Sequence, residues 1–510
     1  MTTTAVQYET VIGLEVHAQL LTRSKMFCPC SSSYADSTPN TYVCPVCLGM
    51  PGVLPVINKR AVEMTIMTGL ALNCAMPQQA KFDRKNYPYP DLMKGYQISE
   101  YDEPLCGSGW LEIEVDGHRK RIGVTRVHLE EDTAKLLHVK NPAGETYSLV
   151  DVNRSGVPLM EVVGEPDIRS PEEARAYLMK LRQILRYLDV CAGNMEEGNF
   201  RCDANISIRP LGSTELMGKV EVKNMNSFRS VHRALGYEAE RQREVLDSGG
   251  RIPQETRGWV DDQGITVSQR SKEYAHDYRY FPEPDLPPIV VDHEWLEEIR
   301  AQTPELPDAK RARLQTAYGL SDYDVTLLTE SRGLAQFFED TVKGWKRIVS
   351  GPGVHKEISG AENPKMVANW VLGEFSGLLN AIGLDLGDPD ADRREMKLTA
   401  ANFAELLNLL RRGEISAATA KQVLKETFQT GRRPKEIVEE AGLVQITASD
   451  EISSAVERVI GENAKAADDY RGGKEEALKF LVGQVMRETR GRANPGLVNE
   501  LLREKLNDGP

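Results

Sequence analysis

The chain has 510 residues, 40% of them hydrophobic and 27% charged, with Gly and Pro near average usage. This excludes collagen-like, mucin-like and wholly disordered classes, and the length corresponds to about three domains. The formal charge is −13, from 63 Lys+Arg against 76 Asp+Glu, which argues against a generic nucleic-acid coat. Residues 411–510 hold 17 charges of each sign, so the acidity resides in residues 1–410 and the last hundred residues are the least repulsive landing place for a polyanion. No apolar run is long enough for a membrane span, and MTTTAVQYETVIG lacks the basic-then-apolar form of a signal peptide. A cytoplasmic location is expected.

The first predicted strand is VIGLEV (11–16). Ile12, Leu14 and Val16 alternate onto one face, and Gly13, Glu15 and His17 onto the other. A carboxylate and an imidazole two residues apart can share a metal or a proton, though a solvated strand face reads the same way. Next come Cys28-Pro-Cys30 and Cys44-Pro-Val-Cys47. Two close pairs at the ends of a short loop suit tetrahedral thiolate coordination of zinc; the alternative is four reduced thiols. Such a site is expected to be structural. Cys74, Cys106, Cys191 and Cys202 read as small core residues.

An amphipathic helix follows at 58–73. FDRKNYPYPD (82–91) places Arg84, Lys85 and two tyrosines in a proline-pinned turn, a composition suited to phosphate contact and base stacking as well as to a plain rigid turn. Strands are predicted at 110–115, 121–129, 147–152 and 158–163. The second ends in Glu130, Glu131 and Asp132, adjacent acids that repel unless solvent or a cation relieves them. The last contains Glu161 in an otherwise apolar run, where a carboxylate is costly unless it faces water or binds something. With Glu15 it suggests a carboxylate-lined cleft fit for Mg²⁺ and phosphate chemistry.

A helix at 170–190 opens with Ser170 as N-cap, Pro171 and early acids. FRCDANISI (200–208) alternates strictly, so Arg201, Asp203, Asn205, Ser207 and Arg209 share a face that could grip a nucleotide or a tRNA end. A strand at 218–224, with Lys223 and Asn224, and a helix at 227–247 follow. EYAHDYRYFPEPD (273–285) repeats the Arg/Tyr/Pro style. Six prolines between 282 and 307 predict a break that neither helix nor central strand crosses. Beyond it the pattern is helical, with a polar gap at 387–396. There is no G-x-x-x-x-G-K-[ST] and no G-x-G-x-x-G after a strand, so any ATP use needs another scaffold. The expected fold class is α+β: a mixed, mostly antiparallel sheet domain, then a helical domain and a small helical tail.

The ordered set ETVIGLEVH, KFDRKNYPYPD, RVHLEEDTAK, LVDVNRSGVPLMEVV, NMEEGNFRCDANIS, DYRYFPEPD and GRANPGLVNELL resembles the B-subunit family of bacterial aspartyl/glutamyl-tRNA amidotransferases, across nearly the whole chain. The resemblance implies ATP-dependent amidation of Glu-tRNA(Gln) or Asp-tRNA(Asn) by a heterotrimer. The side-chain carboxylate is phosphorylated, and ammonia from a glutaminase, the A-subunit, displaces the phosphate, with the C-subunit wrapping the pair. It implies a catalytic cradle at 1–292, a helical domain at 293–408 and a tRNA-binding tail at 409–510. It implies Mg²⁺ on Glu15, His17, Glu131 and Glu161, with Glu130 as a channel-side acid, and structural Zn²⁺ on Cys28, Cys30, Cys44 and Cys47. Arg84, Lys85, Asp203 and Asn205 are the expected ATP contacts.

Overall fold

The computed structural model describes residues 6–215, 217–271, 278–349, 362–388, 391, 393–444, 449–489 and 492–507. Residues 273–277 of the second Arg/Tyr/Pro turn, Pro389, Asp390 and Asp392 of the polar gap, and Gly491 of the last family-like segment lie outside the described residues. The chain divides into two compact units, 1–307 and 308–510.

Among the described residues the first unit holds fifteen strands and four helices. The strands are β1 (Tyr8–Gln19), β2 (Gln79–Ala80), β3 (Asp83–Asn86), β4 (Tyr96–Ser99), β5 (Gly109–Val115), β6 (His118–Glu131), β7 (Lys135–Lys140), β8 (Thr146–Asp151), β9 (Pro158–Gly164), β10 (Phe200–Pro210), β11 (Val220–Lys223), β12 (Glu255–Val260), β13 (Ile265–Ser271), β14 (Phe281–Pro282) and β15 (Ile289–Val290). The helices are α1 (Lys59–Ala71), α2 (Pro171–Tyr187), α3 (Phe228–Asp247) and α4 (His293–Gln302). Eleven strands form one sheet in the order β13-β12-β11-β10-β1-β9-β6-β4-β3-β14, with β5 beside β6. All pairs are antiparallel except β11–β12. This is the mixed, mostly antiparallel sheet that the alternating patterns predict.

One face of the sheet is apolar and covered by helices. Ile12, Leu14 and Val16 of β1 join Met160 and Val162 of β9, Ala204 and Ile206 of β10, and Leu178 and Leu181 of α2 in one core. Ser170 caps α2 by accepting from the Glu173 N–H, as its position before Pro171 requires. The other face carries the polar residues of the same strands.

β6 changes phase in mid-strand. Ile122 and Val124 are buried in the core before an irregularity between Val124 and Arg126, and Val127 and Leu129 take the core after it. One extra residue flips every later side chain, so Arg126, His128 and Glu130 come to the polar face. Glu131 has the core-side phase.

The proline-rich segment differs from expectation. The prolines cluster at 282–288 and 304–307, and the stretch between is free to form α4, capped by Asp292 accepting from the Trp295 N–H. Trp295, Leu296 and Ile299 pack into the first core. Likewise residues 83–86, expected in a turn, form β3, whose charged residues pair in register with β4.

The second unit is helical: α5 (Pro307–Tyr318), α6 (Asp322–Leu328), α7 (Arg332–Val349), α8 (Glu362–Trp370), α9 (Ser376–Ala381), α10 (Ala400–Arg411), α11 (Ala417–Thr430), α12 (Pro434–Glu440), α13 (Ser449–Glu462), α14 (Ala464–Arg471), α15 (Glu475–Glu488) and α16 (Pro495–Asn507). One core runs from Leu314 to Val438 and another from Ile452 to Leu506.

Candidate functional site

The polar face of the sheet places four polar side chains side by side. Arg201 on β10 opposes His17 on β1, His17 opposes Glu161 on β9, and Glu161 opposes His128 on β6. Directly opposed residues of antiparallel strands project to the same face. His17 Nε2 lies 3.6 Å from Glu161 Oε2 and 3.7 Å from Glu130 Oε1, and His128 Nε2 lies 3.2 Å from Glu161 Oε2. Ser99 Oγ donates to Glu130 at 3.3 Å. One ligand atom each from His17, Glu130 and Glu161 lie within 4.8 Å of one another.

The electrostatics follow from this crowding. Burial alone would hold His17 neutral, but the Glu161 carboxylate, with Glu130 behind it, outweighs burial and lifts the imidazole to about 9. Burial would raise Glu161; His17 and His128 outweigh it and hold the carboxyl well below the usual range. Glu15 is raised, first by burial and then by Glu161, Asp203 and Glu221. Its carboxylate accepts from Asn205 Nδ2 at 2.8 Å.

Lys85 lies on the next strands outward, opposite Gln97. Its ammonium sits 5.1 Å from the Tyr278 ring centre and 5.7 Å from that of Tyr87. Burial opposes its charge, but Glu130, Tyr280, Tyr87 and Glu161 outweigh burial and raise it. Tyr101 and Tyr280 stack beside it at 4.1 Å.

Of the residues singled out from sequence, Glu15, His17, Glu130, Glu161, Asp203 and Asn205 share this face, and Lys85 faces its acids. Asp203 is paired with Lys223 at 2.8 Å. Glu131 is not brought to the cluster. It has the opposite phase on β6, accepts from the Ile98 N–H at 3.1 Å and pairs with Lys94. Arg84 also points away: β3 alternates, and its guanidinium holds Glu283 through two hydrogen bonds of 2.7 and 2.8 Å. Arg84, Lys94, Tyr96, Glu131, Cys28 and Cys47 instead line a separate cavity of about 270 Å³. His128 carries no marker in the sequence apart from its place in a strand; the β6 phase change is what aims it at Glu161.

The four clustered cysteines do converge. Their sulfurs lie within 4.8 Å of one another, and Cys44 and Cys47 are 3.9 Å apart. Tetrahedral ligands at the usual Zn–S length of about 2.3 Å stand roughly 3.8 Å from each other, so the donor set fits a zinc ion. The Cys44 N–H points at Cys47 Sγ at 3.1 Å. Cys47 is pushed down to about 5, first by the Cys28 thiol. The loop is tied to its surroundings: Asn40 Nδ2 donates to the Val150 carbonyl on β8, Lys25 Nζ to the Tyr42 carbonyl, and Gln19 Nε2 of β1 to Tyr34 Oη at 3.1 Å.

Comparison with known proteins gives two family matches. The GatB/GatE catalytic domain matches residues 10–297, and the GatB domain matches residues 354–506. Among curated relatives, the B-subunit of the aspartyl/glutamyl-tRNA(Asn/Gln) amidotransferase of Dehalococcoides mccartyi (strain CBDB1) is 56% identical over 503 residues, covering 99% of this chain and 100% of that one. The proteins of the same name from Thermomicrobium roseum and Carboxydothermus hydrogenoformans are 55% and 54% identical over 500 residues, each covering 98% of this chain and 99% of the relative.

Proposed function

This chain belongs to the GatB/GatE family, and from that membership we propose that it is the component that amidates misacylated Glu-tRNA(Gln), Asp-tRNA(Asn) or both. The observation that carries the site is the row of His17, Glu161 and His128 with Glu130 beside it. ATP and Mg²⁺ are the cofactors of this reading. Its protein partners are the glutaminase A-subunit, together with the C-subunit, and its location is the cytoplasm. The organisation into a cradle, a helical domain and a tRNA-binding tail rests on family membership, with the separate core of Ile452–Leu506 supporting a distinct tail.

Mg²⁺ fits the donors His17, Glu130 and Glu161, two carboxylates and an imidazole. In this reading Glu130 takes the ligand place expected of Glu131. When bound, the ion would supply charge neutralisation for phosphate oxygens. In the first step a carboxylate oxygen of the tRNA-borne Glu or Asp attacks the γ-phosphorus of ATP, that P–O bond forms, and the bond to ADP breaks. In the second, ammonia adds to the acyl carbon, the C–O bond breaks, phosphate leaves, and one proton is lost from nitrogen. Lys85 offsets the negative charge that gathers in both steps. Glu15, raised by burial and acidic neighbours and oriented by Asn205, is suited to take the proton. Arg84 is committed to Glu283 and has no part in this scheme. The zinc of the four-cysteine site is structural in this reading and holds the loop whose Tyr34 meets Gln19.

The test is transamidation by the assembled heterotrimer, using ammonium in place of glutamine. A Glu161→Ala complex that binds tRNA but makes no Gln-tRNA supports the reading. A fully active one favours a chain that only holds tRNA.

A further inference from the structure

Arg201 ends the row of side chains that begins at His128, and the proposed reaction gives it no task. It stands directly opposite His17 on β10. Its guanidinium makes one hydrogen bond among the described residues, from one terminal nitrogen to Asp132 Oδ2 at 2.9 Å. Its Nε is buried and has no hydrogen-bond partner among the described residues. The side chain is about a third exposed.

The anchor is built for the purpose. Asp132 is 3% exposed, also accepts from Gln19 Nε2 at 2.7 Å, and lies 3.8 Å from Arg154 Nε. Gln19 is held in turn by Tyr34. A buried carboxylate that accepts from Arg201, Gln19 and the Thr133 N–H fixes the guanidinium without occupying all of its N–H groups. Glu130 and Asp203 are near enough to act on its charge. Arg201 and Lys85 thus flank the acidic cluster, and Lys85 makes no hydrogen bond or ion pair among the described residues.

We propose that Arg201 binds the phosphoryl group in transit from ATP to the acyl carboxylate, its free N–H groups donating to phosphoryl oxygens while Asp132 holds it in place. A planar guanidinium with donors to spare suits an anion that spreads charge over several oxygens. The inference rests on the proposed reaction and adds a residue to it. Atoms balance as in that reaction, since Arg201 supplies hydrogen bonds and exchanges no proton.

The experiment uses the assembled complex with ammonium as nitrogen donor and three variants: Arg201→Ala, Arg201→Lys and Glu161→Ala. The expected result for Arg201→Ala is a fall in kcat of roughly 100-fold or more, with tRNA affinity retained. Millimolar guanidinium should restore a large part of that loss, and Arg201→Lys should retain part of the activity. A folded, tRNA-binding Arg201→Ala complex with near wild-type kcat, or with a loss that guanidinium leaves untouched, overturns the inference. If Arg201→Ala does not fold, Arg201→Ala with Asp132→Asn removes the uncompensated carboxylate, and the same rescue is read there. An active Glu161→Ala overturns the reaction assigned to this face and the inference with it. An inactive Glu161→Ala beside an unimpaired Arg201→Ala overturns the inference alone.

Discussion

His17 stands directly opposite Glu161 across the β1–β9 pair, with Nε2 3.6 Å from the carboxylate. The pair makes His17 an imidazolium at neutral pH. Its folded pKa of about 9 lies above the ordinary 6.5, so its contribution to stability is fully present below about pH 6.5 and is lost as pH rises through 9. An NMR titration should show this ring titrating near 9 in wild type and markedly lower in Glu161→Gln. An unchanged titration in the variant would separate the two groups.

At the proposed metal site the same charge would make binding pH-dependent. Ligation needs neutral imidazole, so each ion must displace the His17 proton. Affinity for Mn²⁺, used as a spectroscopic probe, should rise about tenfold per pH unit below the His17 pKa and level off above it. A flat profile between pH 6 and 9 would exclude His17 as a ligand.

Glu130 and Glu131 are neighbours in sequence with opposite phases on β6. Glu130→Gln should weaken Mn²⁺ binding strongly. Glu131→Gln should leave it nearly unchanged, because it removes only the contacts to Lys94 and the Ile98 N–H. Calorimetric titration of both variants checks this, and equal losses would contradict the assignment.

Glu100 provides a stability test away from the reaction. It is 1% exposed, its Oε2 accepts from the Leu105 and Leu129 N–H groups, and its Oε1 has no partner among the described residues. Burial lifts its carboxyl to about 8. The unfolded carboxyl ionises near 4.5, so its unfavourable contribution to folding begins there and grows until pH passes 8. Glu100→Gln should therefore gain on wild type with rising pH, by a few kcal/mol at about pH 9. Melting temperatures across pH 5–9 would show the two curves diverging; parallel curves would mean an ordinary carboxyl.

Chelation bears on the cysteine loop. Wild-type protein should carry one zinc, and Cys44→Ser or removal of the ion should lower the melting temperature by several degrees. tRNA binding should persist, since Asn40 and Tyr34 tie the loop to β8 and β1 of its own unit and Lys25 holds the Tyr42 carbonyl. Loss of tRNA binding in step with zinc would assign the loop a direct role in recognition.

Much of this arrangement is legible in the alternation of the strands. From Ile12 to Gln19 of β1 and from Phe200 to Ile206 of β10 buried residues alternate with more exposed ones, so Glu15, His17, Asp203 and Asn205 can be placed on one face. Glu161 stands out because a carboxylate in PLMEVV has few innocent explanations. The joining of these residues is not legible, because strand order and register are long-range properties that spacing along the chain does not encode. The β6 irregularity hides most. It chooses Glu130 over Glu131 and enlists His128, and nothing in RIGVTRVHLEED marks where the extra residue falls. β3 is hidden by its composition, since DRKN has the charge of a turn and forms a strand only because β4 and β14 pair with it.

The most direct test of the central claim is ammonium-driven synthesis of Gln-tRNA(Gln) by the complex carrying Glu161→Ala, measured beside its affinity for Glu-tRNA(Gln). The account predicts that the variant binds tRNA like wild type and makes no product. Product formed at the wild-type rate would show that the His17–Glu161–His128 row is not where the amide is made.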